Sequence, residues 1–201
     1  MQKKIRRTSR RHSGPRVTVL LSGGIDSTAC LSYYLREGFH VGALFIDHGQ
    51  AGAKREARAA KSICRHFRVP LKIVRLIGST DKGPGLIAGR NAFLLLTAAL
   101  EFKARAGVIA LGIHSGTRYR DCSPYFVQRM QAVLDIYTGG AVQIGAPFLN
   151  WRKADIWAFA TRKDVPLSLT YSCERGLEQP CGSCDSCLDL EALRASVVSH
   201  K

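Results

Sequence analysis

The stretch VTVLLSGGIDST, residues 17–28, constrains this chain more than any other. Five apolar or β-prone residues run straight into two adjacent glycines, and hydroxyls and an aspartate flank the pair. The pattern predicts a buried strand over 17–21, a turn at Ser22-Gly23-Gly24, and a helix over 28–36 that stops at Gly38. Glycines at such a turn let backbone amides approach a phosphate closely. Ser22, Ser27 and Thr28 add hydroxyl donors, and the helix N-terminus adds positive potential. The alternative is a plain strand-to-helix turn closed by a Ser or Asp cap. No G-x-G-x-x-G and no G-x-x-x-x-G-K-[ST] is present. The missing lysine of the second motif argues against γ-phosphate transfer.

Further apolar runs predict strands over 41–46, 71–77, 108–113 and 141–144. Amphipathic segments predict helices over 53–67, 91–105, 123–137 and 151–162, and glycine and proline mark 78–88 as a loop. Strands that alternate with helices and are continuously apolar predict an α/β fold: an open, parallel, five-stranded sheet with helices on both faces. Ligands of such folds bind outside the carboxyl ends of the strands.

Four of the seven cysteines crowd into CERGLEQPCGSCDSC: Cys173, Cys181, Cys184 and Cys187. Four thiolates at this spacing suit a closed tetrahedral zinc site, structural rather than catalytic. An iron–sulfur cluster is the second reading of the same ligands, and a redox pair or loose thiols the third. Cys30 and Cys64 read as core residues, and Cys122 does not read as a nucleophile.

Composition narrows the class. Hydrophobic residues make up 46% of the 201, enough for one domain with a sizeable core. No apolar run reaches membrane-spanning length, and the start lacks the apolar stretch of a secretory signal, so a cytoplasmic protein is expected. The net charge is +15, and residues 1–16 hold seven Lys and Arg with no acid. That balance favours polyanions: nucleic acid, nucleotides or an acidic partner, with a solvated surface and a basic tail as the plain alternative.

The segment SGGIDS resembles the SGGxDS loop of PP-loop ATP pyrophosphatases, which cleave ATP between the α and β phosphates. Joined to the C-terminal CGSCDSC, it resembles the 7-cyano-7-deazaguanine synthases of the queuosine pathway. Asp47-His48-Gly49-Gln50, Gly89-Arg90-Asn91, the stretch ending in Tyr119, Asp121 and Cys122, and Lys153 in WRKADIW carry the likeness further. The resemblance implies a ligase fed by ATP with Mg²⁺, 7-carboxy-7-deazaguanine and ammonia. It adenylates a carboxylate and then an amide, and releases AMP and pyrophosphate with the nitrile. Structural Zn²⁺ and a homodimer are implied as well.

The resemblance also implies roles. Leu21, Ser22, Gly23, Gly24, Asp26 and Ser27 form the nucleotide loop, and Asp47, Gly89 and Asn91 complete the ATP site. Asp26 either orients the loop or holds Mg²⁺; Arg90 offers a donor fork to phosphate or carboxylate. Asp121 pairs with guanine-like N–H groups, and Lys153 neutralises phosphate. The implied organisation is a disordered basic tail over 1–16, the ATP-binding α/β domain over 17–165, and the zinc-binding segment with a helix over 166–201. Residues 78–88 are shorter than the family's equivalent, and Arg120 stands where the family has proline. Those departures keep a second reading: the same adenylation on a macromolecular or altered deazaguanine or carboxylate substrate, in nucleic-acid modification or phage defence. A third is a non-enzymatic zinc module that holds nucleic acid through the basic tail.

Overall fold

A computed structural model describes residues 14–78, 87–102, 106–117 and 119–198. The basic tail as far as residue 13, most of the 78–88 loop and residues 103–105 lie outside them. Five strands, β1 (Arg16–Leu20), β2 (His40–Asp47), β3 (Leu71–Arg75), β4 (Gly107–Ala110) and β5 (Val142–Gly145), form one parallel sheet in the order β3-β2-β1-β4-β5. Among the described residues there are six α-helices, of which the first five pack on the sheet: α1 (Ile25–Arg36), α2 (Ala53–Phe67), α3 (Arg90–Phe102), α4 (Pro124–Thr138), α5 (Lys153–Arg162) and α6 (Asp185–Val198).

Strand geometry explains the two-sided core. Side chains alternate between faces, so Val41, Ala43 and Phe45 of β2 join Val17 and Val19 on the face covered by α1, α2 and α5. Leu44 and Ile46 point the other way, onto Leu95 of α3, Met130 of α4 and Ile109 of β4. The central strands are nearly continuously apolar because both their faces are buried, whereas the edge strand β3 is largely exposed and carries Lys72 and Arg75.

Several boundaries differ from the sequence expectation, and three of them have a clear local reason. The helix after β1 begins at Ile25 rather than Thr28. The Gly24 carbonyl accepts from Thr28 N–H (3.1 Å), from Thr28 Oγ1 (2.8 Å) and from Ser27 Oγ (3.0 Å), which closes the first turn inside the motif. β3 stops at Arg75 because its partner ends at Asp47, whose carbonyl takes the Leu76 N–H at 2.8 Å. β4 stops at Ala110, and the chain then crosses the start of α1. At the other end, Pro15 already accepts from His40 N–H at 3.0 Å, so the ordered fold starts before residue 17.

Strand order reverses between β1 and β4. Their carboxyl ends therefore diverge and leave a crevice, the place where open α/β sheets bind ligands.

Candidate active site

The crevice holds a cavity of about 670 Å³. Its floor is the turn after β1. Gly23 has φ +85°, and a Cβ there would stand 2.8 Å from the Glu56 carbonyl and 2.9 Å from the Ala59 side chain, so only glycine lets the turn pack onto α2. Ser22 Oγ and Ser27 Oγ lie 3.1 Å apart, and Gly24 N–H reaches Ser22 Oγ at 3.4 Å. The first intrahelical bond is Thr28 N–H to Gly24, so the amides of Ile25, Asp26 and Ser27 open the helix without an intrahelical acceptor. The arrangement is a ready anion cradle.

Beside the cradle, Lys153 Nζ donates to Asp26 Oδ2 at 2.5 Å. β5 leads through residues 146–152 to α5, and Lys153 is the first residue of that helix. His114 Nε2 sits 4.0 Å from the same oxygen. Asp26 Oδ1 and His114 Nδ1 are buried and lack a hydrogen-bond partner among the described residues. Burial pushes the His114 pKa below its ordinary value; Asp26 and Asp189 oppose the shift and Lys153 reinforces it.

Arg90 and Asn91, at the start of α3, form another wall. Asn91 is spent on structure: its Nδ2 donates to the Asp121 carbonyl at 3.1 Å, and its backbone N–H donates to Asp121 Oδ2 at 3.3 Å. Asp121 thus caps α3 from behind the wall. Gly89, at φ +75°, makes the turn into α3. Asp47 faces away from this cavity. Its Oδ1 accepts from Gly49 N–H at 3.2 Å and its Oδ2 from Arg75 Nε at 3.1 Å.

Several wall residues escaped the sequence reading. A Cβ on Gly112 would stand 2.5 Å from the Asp26 carbonyl group, so only glycine lets the chain after β4 pass the first turn of α1. Its place just beyond a central strand, followed by His114, was the available signal. Glu56 reaches the cavity from α2, and burial raises its pKa while Gln50 and Arg90 counter the shift. The remaining wall is the opening of α6, through Ser186, Asp189 and Leu193.

The C-terminal segment is tied to the loop. Tyr171 N–H donates to the Gly23 carbonyl at 2.9 Å. Two residues on, Cys173 joins Cys181, Cys184 and Cys187, whose sulfurs all lie within 4.8 Å of one another. Cys181 and Cys187 sulfurs are 3.9 Å apart. That approaches the ~3.8 Å edge of a tetrahedron with metal–sulfur bonds of about 2.3 Å. Backbone N–H groups of Ser183 (3.5 Å) and Cys184 (3.3 Å) point at Cys181 Sγ and pull its pKa down to about 6. Burial, reinforced by the neighbouring sulfurs, pushes Cys187 up to about 12. Four sulfurs this close favour full ionisation only around a cation, so the cluster is suited to a metal. Burial likewise holds Cys64 at about 11, in keeping with a core residue.

Known proteins match this arrangement. A family model described as queuosine biosynthesis protein QueC matches residues 16–84 and 79–196. The two pieces meet at the loop after β3, where the sequence placed the shortening. The 7-cyano-7-deazaguanine synthase of Acetivibrio thermocellus is 36% identical over 200 residues, covering 86% of this chain and 90% of that protein. That of Pseudoalteromonas translucida is 34% identical over 207 residues, covering 90% and 94%. In both, the aligned length exceeds the part of this chain it covers, so the relatives carry residues this chain lacks. The solved structure of a predicted subunit of tRNA methyltransferase from Methanocaldococcus jannaschii shares the fold, at a TM-score of 0.51 and 17% identity over 74% of this chain and 76% of that one. No described helix is long and apolar enough to cross a membrane. The chain belongs to the QueC family of queuosine biosynthesis proteins.

Proposed function

We propose that this chain converts 7-carboxy-7-deazaguanine and ammonia to 7-cyano-7-deazaguanine, using two ATP and releasing two AMP and two pyrophosphate. The observation that carries the reading is the nucleotide loop at the β1/β4 switch point, with Lys153 and Asp26 beside it, in a chain of this family.

The chemistry follows from the residues. A substrate carboxylate oxygen attacks the α-phosphorus of ATP, and pyrophosphate leaves. The amides of Ile25–Ser27 and the hydroxyls of Ser22 and Ser27 hold the departing phosphates. Lys153 offsets their growing charge, and Arg90 approaches from the opposite wall. Ammonia then displaces AMP to give the amide. The amide oxygen attacks a second ATP, and loss of AMP with both amide protons leaves the nitrile. Each AMP carries away one substrate oxygen. His114, held neutral by burial, adds no further positive charge beside Lys153. Asp121 and Asn91 act as positioning residues that hold the start of α3 and so aim Arg90. Gly89 serves the same turn, and Leu21 seats the loop by its burial in the core.

The four cysteines would hold Zn²⁺ and staple the segment that carries Tyr171 and α6. Asp26 Oδ1, buried and unpartnered among the described residues, suits a hard cation accompanying ATP, so Mg²⁺ would meet the chain there. Zn²⁺ supplies rigidity, and Mg²⁺ supplies charge neutralisation. A cytoplasmic location fits these small-molecule substrates.

Incubation with ATP, 7-carboxy-7-deazaguanine and ammonium tests the reading. AMP and the nitrile mass are expected in a ratio of two to one. AMP without nitrile would refute this substrate, and ADP as the nucleotide product would refute adenylation.

A further inference from the structure

α2 carries a second surface, turned away from the cavity. Its inner face buries Ala59, Ala60, Ile63 and Cys64 and sends Glu56 to the cavity. Its outer face sets Lys54, Arg58, Lys61 and Arg65 in one exposed row, at intervals of three and four residues. The row is about 16 Å long at the helical rise. None of the four cations has a salt-bridge or hydrogen-bond partner among the described residues. Outside Glu56 the helix has no acid, so no internal counter-charge blunts the row.

The row also borders a groove. A shallow crevice of about 410 Å³ runs between α2 and the end of β3, lined by Lys54, Arg58, Lys61 and Arg75, with Ala53 and Ala57 at its base. Asp47 is its one acid, and it is already engaged by Arg75. Lys54, Arg58 and Lys61 are the groove's unpaired cations among the described residues, and none of them lines the cavity where the reaction is proposed. The groove lies outside the nucleotide cavity, and its three unpaired cations are strung over about 10 Å of helix instead of converging on one point.

We propose that this groove binds the sugar–phosphate backbone of a nucleic acid strand. Successive cations one helical turn apart, facing a trough, match the way a charged groove tracks a strand from phosphate to phosphate. The alanines leave the trough open. No aromatic ring lines it, so the contact is to phosphates and does not read bases. Four phosphates neutralised by the row predict a slope of roughly −3 for log K against log salt on a single strand.

The test uses the full-length protein and a fluorescein-labelled RNA of twenty nucleotides and mixed sequence, read by anisotropy across a salt series. One variant carries Lys54→Glu, Arg58→Glu and Lys61→Glu. A control of equal charge carries Arg129→Glu, Arg162→Glu and Lys163→Glu on other exposed faces. Circular dichroism and AMP release verify that both variants are folded and retain turnover. The groove variant is expected to lose at least tenfold in affinity and to flatten the salt slope by two or more, while the control changes less than threefold. Equal loss in both variants would overturn the proposal in favour of net charge alone. Retained binding in the groove variant would place the contact elsewhere. A polyglutamate peptide that displaced the RNA at equal charge concentration would point to an acidic protein partner and also overturn it.

Discussion

Lys153 and Asp26 stand 127 positions apart in the sequence, yet their side chains meet at 2.5 Å beside the glycine turn after β1. The first residue of α5 thus reaches the first turn of α1. The contact binds the two helices at the point where pyrophosphate is proposed to leave. Both side chains are partly exposed, about a quarter of each, so the pair serves the cavity more than it serves stability.

Replacing Lys153 with Met removes the cation and keeps most of its aliphatic length. AMP release is expected to fall by roughly 10²–10³, the size of effect seen when one oriented transition-state donor is lost. The thermal midpoint should move little. Single-turnover AMP formation checks the first expectation, and a melting curve checks the second.

Ser27→Ala and Asp26→Ala should each abolish measurable AMP release and leave metal content at wild-type stoichiometry. Elemental analysis beside the assay decides it. Metal loss in either variant would mean that the loop and the thiolate cluster form a single unit.

The reverse dependence is expected. Cys184→Ser should strip the metal and loosen the segment from Tyr171 to α6. The Tyr171 N–H bond to Gly23 and the α6 wall would go with it. The KM for ATP should then rise about tenfold or more, as the loop loses its brace. Steady-state kinetics on protein of verified metal content measure this.

The fold was legible because two-faced burial makes strands continuously apolar, and Val17, Val41 and Ile109 stand in such runs. The turn after β1 was legible because two glycines interrupt the apolar run, and the packing of Gly23 on α2 shows why the first must be glycine. The thiolate cluster was legible from spacing. What escaped was set by long-range packing. The use of Asp121 as a cap for Asn91, thirty residues away, leaves no local trace. The approach of Gly112 to Asp26 depends on strand order, and its one local trace is a glycine just past a central strand. Asp47 ends β2, which lies outside the β1/β4 reversal, and it lines the cationic groove and not the cavity.

Glu56 yields a pH-dependent expectation. Burial raises its folded-state pKa, so the fold is penalised for holding the charged form. That penalty is absent in acid, where the carboxyl is protonated folded and unfolded alike. It grows as pH rises from the ordinary glutamate value through the raised one. Glu56→Gln keeps an acceptor for Gln50 and should raise the melting temperature at pH 8, with the difference vanishing towards pH 4. A series of melts across that range measures it.

The central claim is that substrate oxygen passes to AMP at this loop. The direct test is turnover with 7-carboxy-7-deazaguanine labelled with ¹⁸O in both carboxylate oxygens, followed by mass spectrometry of the nucleotide product. One ¹⁸O in the phosphate of each AMP, and none in pyrophosphate, is the predicted result. Unlabelled AMP, or label recovered in inorganic phosphate beside ADP, would contradict it.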